Sequence, residues 1–288
     1  MTMASKTHYT RWRQAPLLLL LAFLATPAAA EFDAKTAAAV DAAINGDHRT
    51  DAHKARDAAR KPREVLEFLG FRSDMTVVEI WPGGGWYTQI LAPALKDDGA
   101  LYAAGADPND PYGFQRRGLG TFLKMMGDKP ELYRHVVVTT MSLPYKIDIA
   151  PKGSADMVVT FRNVHNWFME LFGGGKYAVL PFQAMYDVLK PGGTLGIVDH
   201  RWPDPATEDP VAANGYVSKE RTIALAESVG FELVAESDML ANPRDTRDHE
   251  RGVWSLPPNF SAGEKNRERY AAIGESDRFL LKFVKPEK

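Results

Sequence analysis

Three consecutive glycines, Gly83, Gly84 and Gly85, separate an apolar run that ends in Glu79-Ile80-Trp81-Pro82 from a second apolar run beginning at Trp86. A glycine turn between a strand and a helix lets backbone N–H groups approach a ligand that a β-carbon would hold off. Such a turn makes a cradle for a cofactor or an anion. The spacing is neither GxGxxG nor the lysine-bearing phosphate loop, since Trp86, Tyr87 and Thr88 follow the glycines. That turns the reading away from a nucleotide pyrophosphate and from a nicotinamide oxidoreductase. A second concentration of chemistry is Phe161-Arg162-Asn163-Val164-His165-Asn166-Trp167. His165 is a candidate general base, because an imidazole titrates near neutrality. Arg162, Asn163 and Trp167 are candidates for holding the substrate on which it acts. His200, preceded by Val198-Asp199 and followed by Arg201-Trp202, is the secondary candidate.

These residues need a scaffold that brings chain-distant turns to one edge. Strands are predicted at Thr76 to Trp81, Ala100 to Ala104, Arg134 to Thr140, Asp156 to Phe161, Thr194 to Val198, Phe231 to Ala235 and Phe279 to Val284. The near-continuous apolar runs are those of parallel strands covered on both faces. Helices are predicted over Trp86 to Leu95, Val179 to Leu189 and Ser218 to Val229, the last with a serine N-cap and Gly230 beyond its end. The alternation gives an α/β, doubly wound, seven-stranded and mostly parallel sheet, which binds ligands at the carboxyl ends of its strands. Both polar clusters fall there.

Residues 31–70 read as an N-terminal helical extension, interrupted at Gly46 and Pro62, ahead of one domain over 71–288. Within it, Asp47, His48, Asp51, His53 and Asp57 match no metal-binding spacing and read as a solvated helix face; no metal is expected. The segment Asp238 to Asp277, carrying Arg244, Asp245, Arg247, Asp248, His249 and Trp254, is long for a structureless loop. It reads as a lid or binding element, or else as a solvated excursion with a short helix near Glu264 to Ala272.

Residues 1–30 carry Lys6, Arg11 and Arg13, a short apolar core from Leu17 to Ala25, and Ala28-Ala29-Ala30 before Glu31. That is the build of a Sec-type signal peptide cleaved after Ala30, giving a periplasmic or secreted protein without stable membrane insertion. Its removal takes away three basic and no acidic side chains, moving the formal charge from -2 to about -5. A mildly acidic chain without a polybasic tract is a poor partner for nucleic acid. The absence of cysteine removes disulfides and thiolate chemistry together.

The stretch VVEIWPGGGWYTQIL resembles motif I of the class I S-adenosylmethionine (SAM)-dependent methyltransferases, an acid followed by three spaced glycines. Glu79 stands as the acid, Gly83 and Gly85 as the second and third glycines, and Trp81 in place of the first. Leu189-Lys190-Pro191-Gly192-Gly193 resembles the turn before that family's fifth strand. The final GFELVAES and DRFLLKFVKP segments resemble its closing strand pair. The EIWPGGGW form is similar to that of exported "predicted methyltransferases". The resemblance implies a Rossmann-like methyltransferase fold and SAM as cofactor, with a small-molecule acceptor. It also implies cofactor contacts at Glu79, Trp81, Gly83, Gly84 and Gly85, and ribose binding at Asp107. The family's adenine-binding acid is missing here, which leaves that role to Met141, Ser142 or the backbone. A rival reading is a non-catalytic ligand-binding protein on a degenerate methyltransferase scaffold.

Overall fold

The computed structural model describes residues 31–287. The signal-peptide reading of residues 1–30 lies outside them. Among the described residues no helix is long and apolar enough to cross a membrane.

The described residues form ten strands: β1 (Thr76–Ile80), β2 (Ala100–Gly105), β3 (Val137–Ser142), β4 (Lys146–Asp148), β5 (Ala155–Phe161), β6 (Leu189–Trp202), β7 (Val217–Ser218), β8 (Glu232–Ser237), β9 (Glu250–Val253) and β10 (Arg278–Val284). Nine join one sheet in the order β4-β3-β2-β1-β5-β6-β10-β8, with β7 paired to β6. The run β3, β2, β1, β5 and β6 is parallel; β10 is antiparallel to both β6 and β8, and β4 to β3. The seven predicted strands are the body of this sheet, and its class is the predicted one. The strand order reverses at β1, where chain connections leave to opposite sides, and this is where an open α/β sheet forms its crevice.

Side chains alternate across the sheet. Val77 faces a core shared with Leu66, Leu69, Leu91, Leu95 and Phe122. Val78 and Ile80 face the other, with Phe182, Met185, Leu195 and Phe283. The helices over the first face are α1 (Ala34–Asn45), α4 (Pro62–Leu69) and α5 (Thr88–Leu95), with the short α2 (Asp51–Lys54) and α3 (Asp57–Arg60) between α1 and α4. Asp33 caps α1 by accepting from the Lys35 and Thr36 N–H groups. Proline opens α4, and Gly70 closes it in the left-handed region. The N-terminal helices therefore pack on the domain through α5.

Three differences from prediction bear on the site. β1 stops at Ile80 rather than Trp81, because Trp81 adopts φ +46°, a left-handed conformation that ends strand pairing. The Leu189–Gly193 turn is drawn into β6, where the ladder with β5 shifts register between Ala155 and Met157. Helix α6 (Gly113–Asp128) was not predicted at all. Four glycines dilute its helical propensity, and only Phe122 is buried along it, so periodicity gave a weak signal. The helix α7 (Pro130–Tyr133) follows it, and α8 (Val179–Val188) and α9 (Lys219–Ser228) cover the other face. Ser218 caps α9 by accepting from the Arg221 N–H. The last helix, α10 (Arg267–Ile273), lies in the 238–277 segment.

Candidate active site

Two cavities meet at the carboxyl edge of the sheet. The first, a cleft of about 180 Å³, lies between the glycine turn and α6. Its helical wall is Phe114, Gln115, Gly118, Leu119 and Phe122, one face of α6 at i, i+4 and i+8. Gly83, Gly105 and Ala106 give the opposite wall, and Phe172 closes an end. The second, a polar chamber of about 320 Å³, lies over β5 and β6. Trp81, Pro82, Gly83, Asn163 and Asn166 line both cavities, so the two share one boundary.

The three glycines divide their labour. A β-carbon on Gly83 or Gly84 would meet nothing within 4 Å, which leaves their backbone open to a ligand. A β-carbon on Gly85 would lie 2.4 Å from Met125 Cε, at φ +82°. Gly85 lines neither cavity and serves close packing against α6. Glu79 also lies beneath the turn: it is buried and accepts from Thr88 Oγ1 at 2.6 Å, which ties β1 to α5. Burial raises its carboxyl to about 7. Trp81 takes its strained backbone because its indole is held, with Nε1 donating to the Met141 carbonyl at 2.6 Å and the ring packed on Phe172 and Trp167.

Other predicted cofactor residues lie off the cleft. Asp107 accepts from Lys146 Nζ at 2.8 Å and from the Asn109 N–H at 2.7 Å. These bonds hold its carboxyl below the usual carboxylate range. Ser142 Oγ accepts from the Asp107 N–H, and the pair borders a small separate hollow beside Lys146 and Tyr145. Met141 is fully buried and offers only its carbonyl, already taken by Trp81. Gln115, on the helix that prediction missed, lines the cleft along with Asn163 and Asn166.

The chamber gathers Arg162, Asn163, His165 and His200 as predicted. His165 Nδ1 donates to Asp199 Oδ1 at 2.8 Å, since an ionised carboxylate can only accept. Nε2 is thereby left as the acceptor nitrogen, with no partner among the described residues. Asp199, fully buried on β6, is fixed by the His165 N–H at 3.0 Å and the His200 N–H at 2.7 Å. This is a buried imidazole oriented by a carboxylate. The His200 ring lies 5.1 Å from that of His165, and its Nδ1 pairs with Ser276 Oγ at 2.5 Å. Burial, reinforced by His165, Arg162 and Arg278, pushes His200 well below the usual imidazole value and keeps it neutral. His165, Asp199 and His200 offer ligand atoms within 4.8 Å of one another, a spacing that could hold a metal ion. The carboxylate already accepts three hydrogen bonds, and the neighbouring Arg162 guanidinium opposes a cation there. Asn163 acts as a brace: its Nδ2 donates to the Ile80 carbonyl at 2.9 Å and to Thr160 Oγ1 at 3.1 Å. Trp167 lines neither cavity. It is a fully buried core residue against Trp81 and Phe182, because the 3₁₀ turn Val164–Phe168 points it inward.

The charged cluster at the chamber was not predicted. Glu275 accepts from Arg56 Nε at 2.8 Å, Arg60 Nε at 2.9 Å and Arg278 Nη1 at 2.9 Å, joining α3, the 238–277 segment and β10. Trp254, Pro257, Pro258 and Asn259 of that segment roof the chamber. The segment is clasped at its base by buried Asp245, which accepts from Tyr216 Oη, His249 Nε2 and the Asp277 N–H. The predicted solvated face is also only half so. Asp47 and Asp51 are exposed, whereas His48 and His53 grip the carbonyl and side chain of Gln89, at 2.7 and 2.8 Å, and Asp57 pairs with buried Arg49. Their partners lie on α5 and at the end of α1, out of reach of local spacing.

Compared with models of known protein families and with curated protein sequences, the chain matches none. Solved structures do match. A SAM-dependent methyltransferase from Aquifex aeolicus superposes with TM-score 0.52 at 16% identity, over 80% of this chain and 93% of that one. The fold is that of the class I SAM-dependent methyltransferases. A phosphoethanolamine N-methyltransferase from Haemonchus contortus, solved with SAM, superposes at TM-score 0.50 and 15% identity over 86% of this chain and 60% of that one. The [4+2]-cyclase SpnF superposes at 0.54 and 14%, over 90% and 98%. A scaffold shared with a cyclase fixes architecture and leaves the reaction to the site.

Proposed function

We propose that the protein is a SAM-dependent methyltransferase, of the exported group that its EIWPGGGW motif resembles, acting on a small molecule. The observation that carries this is the shared boundary of the two cavities. An apolar cleft over an open glycine backbone abuts a polar chamber that holds an oriented histidine. Transfer between two bound molecules needs such adjacency, because positioning supplies much of the catalysis.

The cleft fits the cofactor in kind. Gly83 leaves room for close backbone approach, the aromatic and aliphatic side chains of α6 suit a purine, and Gln115 offers hydrogen bonds to hydroxyl groups. Bound there, SAM would supply an electrophilic methyl group. The chain's own part is to hold the acceptor in the chamber, exclude water beneath the Trp254 roof, and receive the acceptor's proton on His165 Nε2. The Asp199 carboxylate then stabilises the imidazolium.

The test is calorimetry of protein recovered from the periplasm, titrated with SAM and S-adenosylhomocysteine (SAH). Saturable binding of both is expected, and the amino terminus should read Glu31. An intact Met1 on membrane-bound protein overturns cleavage and release. One observation favours the rival, a ligand-binding protein without methyl transfer: Asp107 is engaged by Lys146 and absent from the cleft. Failure of SAH to bind at millimolar concentration would select that rival.

A further inference from the structure

The chamber holds more positive charge than its own carboxylates neutralise. Arg56, Arg60 and Arg278 converge on the single carboxylate of Glu275. Asp199, the other acid, is taken up by His165 and two backbone N–H groups. Arg162 is additional to all of these. It lines the chamber, yet its guanidinium donates to no carboxylate or carbonyl among the described residues. The Arg56 and Arg60 Nη2 atoms are buried without partners.

Arg162 also sits at φ +65°, an unusual conformation for a long side chain, at the carboxyl end of β5. Its N–H donates to the Val198 carbonyl at 2.6 Å, which fixes the backbone there. Burial among Arg56 and Arg278 lowers its guanidinium to about 10, and it remains charged at neutral pH. A half-buried cation without a hydrogen-bonded partner costs stability. Strain and uncompensated charge of this kind collect where a ligand completes the site.

Resting on the reading of the chamber as the acceptor site, we infer that the acceptor carries an oxyanion, a carboxylate or a phosphate, bound by the Arg162 guanidinium with Arg56 beside it. A guanidinium fork matches either group through two parallel N–H donors. An anion seated there would anchor the acceptor within the chamber that holds His165, while the roof over Trp254 limits its size. The excess of cations also disfavours a choline-like substrate.

The experiment is calorimetry in a low-salt, anion-poor buffer with three probes, inorganic phosphate, succinate and choline chloride, on wild type and Arg162→Asn. Asparagine tolerates the left-handed backbone, so the variant is expected to fold. Wild type should bind phosphate or succinate saturably and choline not at all. The tighter of the two anions names the group. Arg162→Asn should weaken that anion at least tenfold, with SAH affinity unchanged and a melting temperature equal to or above wild type. Arg56→Gln should weaken the same anion by a smaller factor. Absence of anion binding, equal affinity in Arg162→Asn, or a variant that loses stability and SAH binding together would each overturn the inference. Anion binding without SAH binding leaves the anion site standing and removes the transferase reading; SAH binding without anion binding does the reverse.

Discussion

The cleft and the chamber share a wall but are built on opposite plans. The cleft is mostly backbone and apolar surface, contributed chiefly by the glycine turn after β1, the end of β2 and one face of α6. The chamber is side-chain charge, contributed by α2 and α3, the ends of β5 and β6, and the 238–277 segment. Arg56 and Glu275, which touch in the chamber, are 219 positions apart. A cleft lined by backbone can accept a ligand with little specificity for its far end. A chamber lined by paired charges selects chemistry. In a two-substrate enzyme the first arrangement suits the cofactor, and the second sets what receives the group.

If that division holds, the largest effect should come from the chamber with the cleft untouched. His165→Ala is expected to lower turnover by about two orders of magnitude or more, the usual worth of a general base, with SAH affinity unchanged. Asp199→Asn should follow in the same direction, because an amide can donate and no longer fixes the imidazole tautomer. Single-turnover rates alongside SAH titrations decide it. A parallel loss of SAH affinity would mean that the two cavities act as one.

A smaller effect should separate the glycines of the turn. Gly83→Asn extends a side chain into the cleft from a left-handed position that asparagine tolerates, so SAH affinity should fall about tenfold with little change in melting temperature. Gly85→Val should show the converse, a loss of several degrees, because its β-carbon meets Met125 and its φ disfavours a branched residue. Calorimetry and thermal melts on both variants test the distinction, and an equal outcome for the two would erase it.

The smallest effect concerns the floor under the turn. The Glu79 carboxyl is raised to about 7 in the folded protein. Between its unfolded value near 4.5 and 7 the folded state binds more protons than the unfolded state, so this group lowers stability as pH rises through that window. Glu79→Gln keeps an acceptor for Thr88 and removes the ionisation. It should match wild type near pH 4.5 and exceed it by a few degrees at pH 8. Parallel curves across that range would show that Glu79 is already charged in the fold.

The alternation of apolar runs and helix signals was enough to identify the sheet, its class and seven of its strands, because period-2 and period-3.6 patterns are local. The glycine turn and the polar edge after β5 were legible for the same reason. What the sequence could not assign was which member of each motif meets a ligand. Gly85 and Glu79 look like cofactor residues by position, yet the packing of α6 and Thr88 turns them to structural use. Trp167 looks like a substrate residue until a 3₁₀ turn buries it. The helix α6 escaped notice because its glycines weaken propensity, and tertiary contact rather than sequence holds it in place. The Glu275 arginine cluster and the Asp199 support for His165 depend on pairing across the whole chain. Hydrogen bonds and charge pairs have no periodicity, so only the folded sheet, by bringing strand ends to one edge, decided which of these side chains meet.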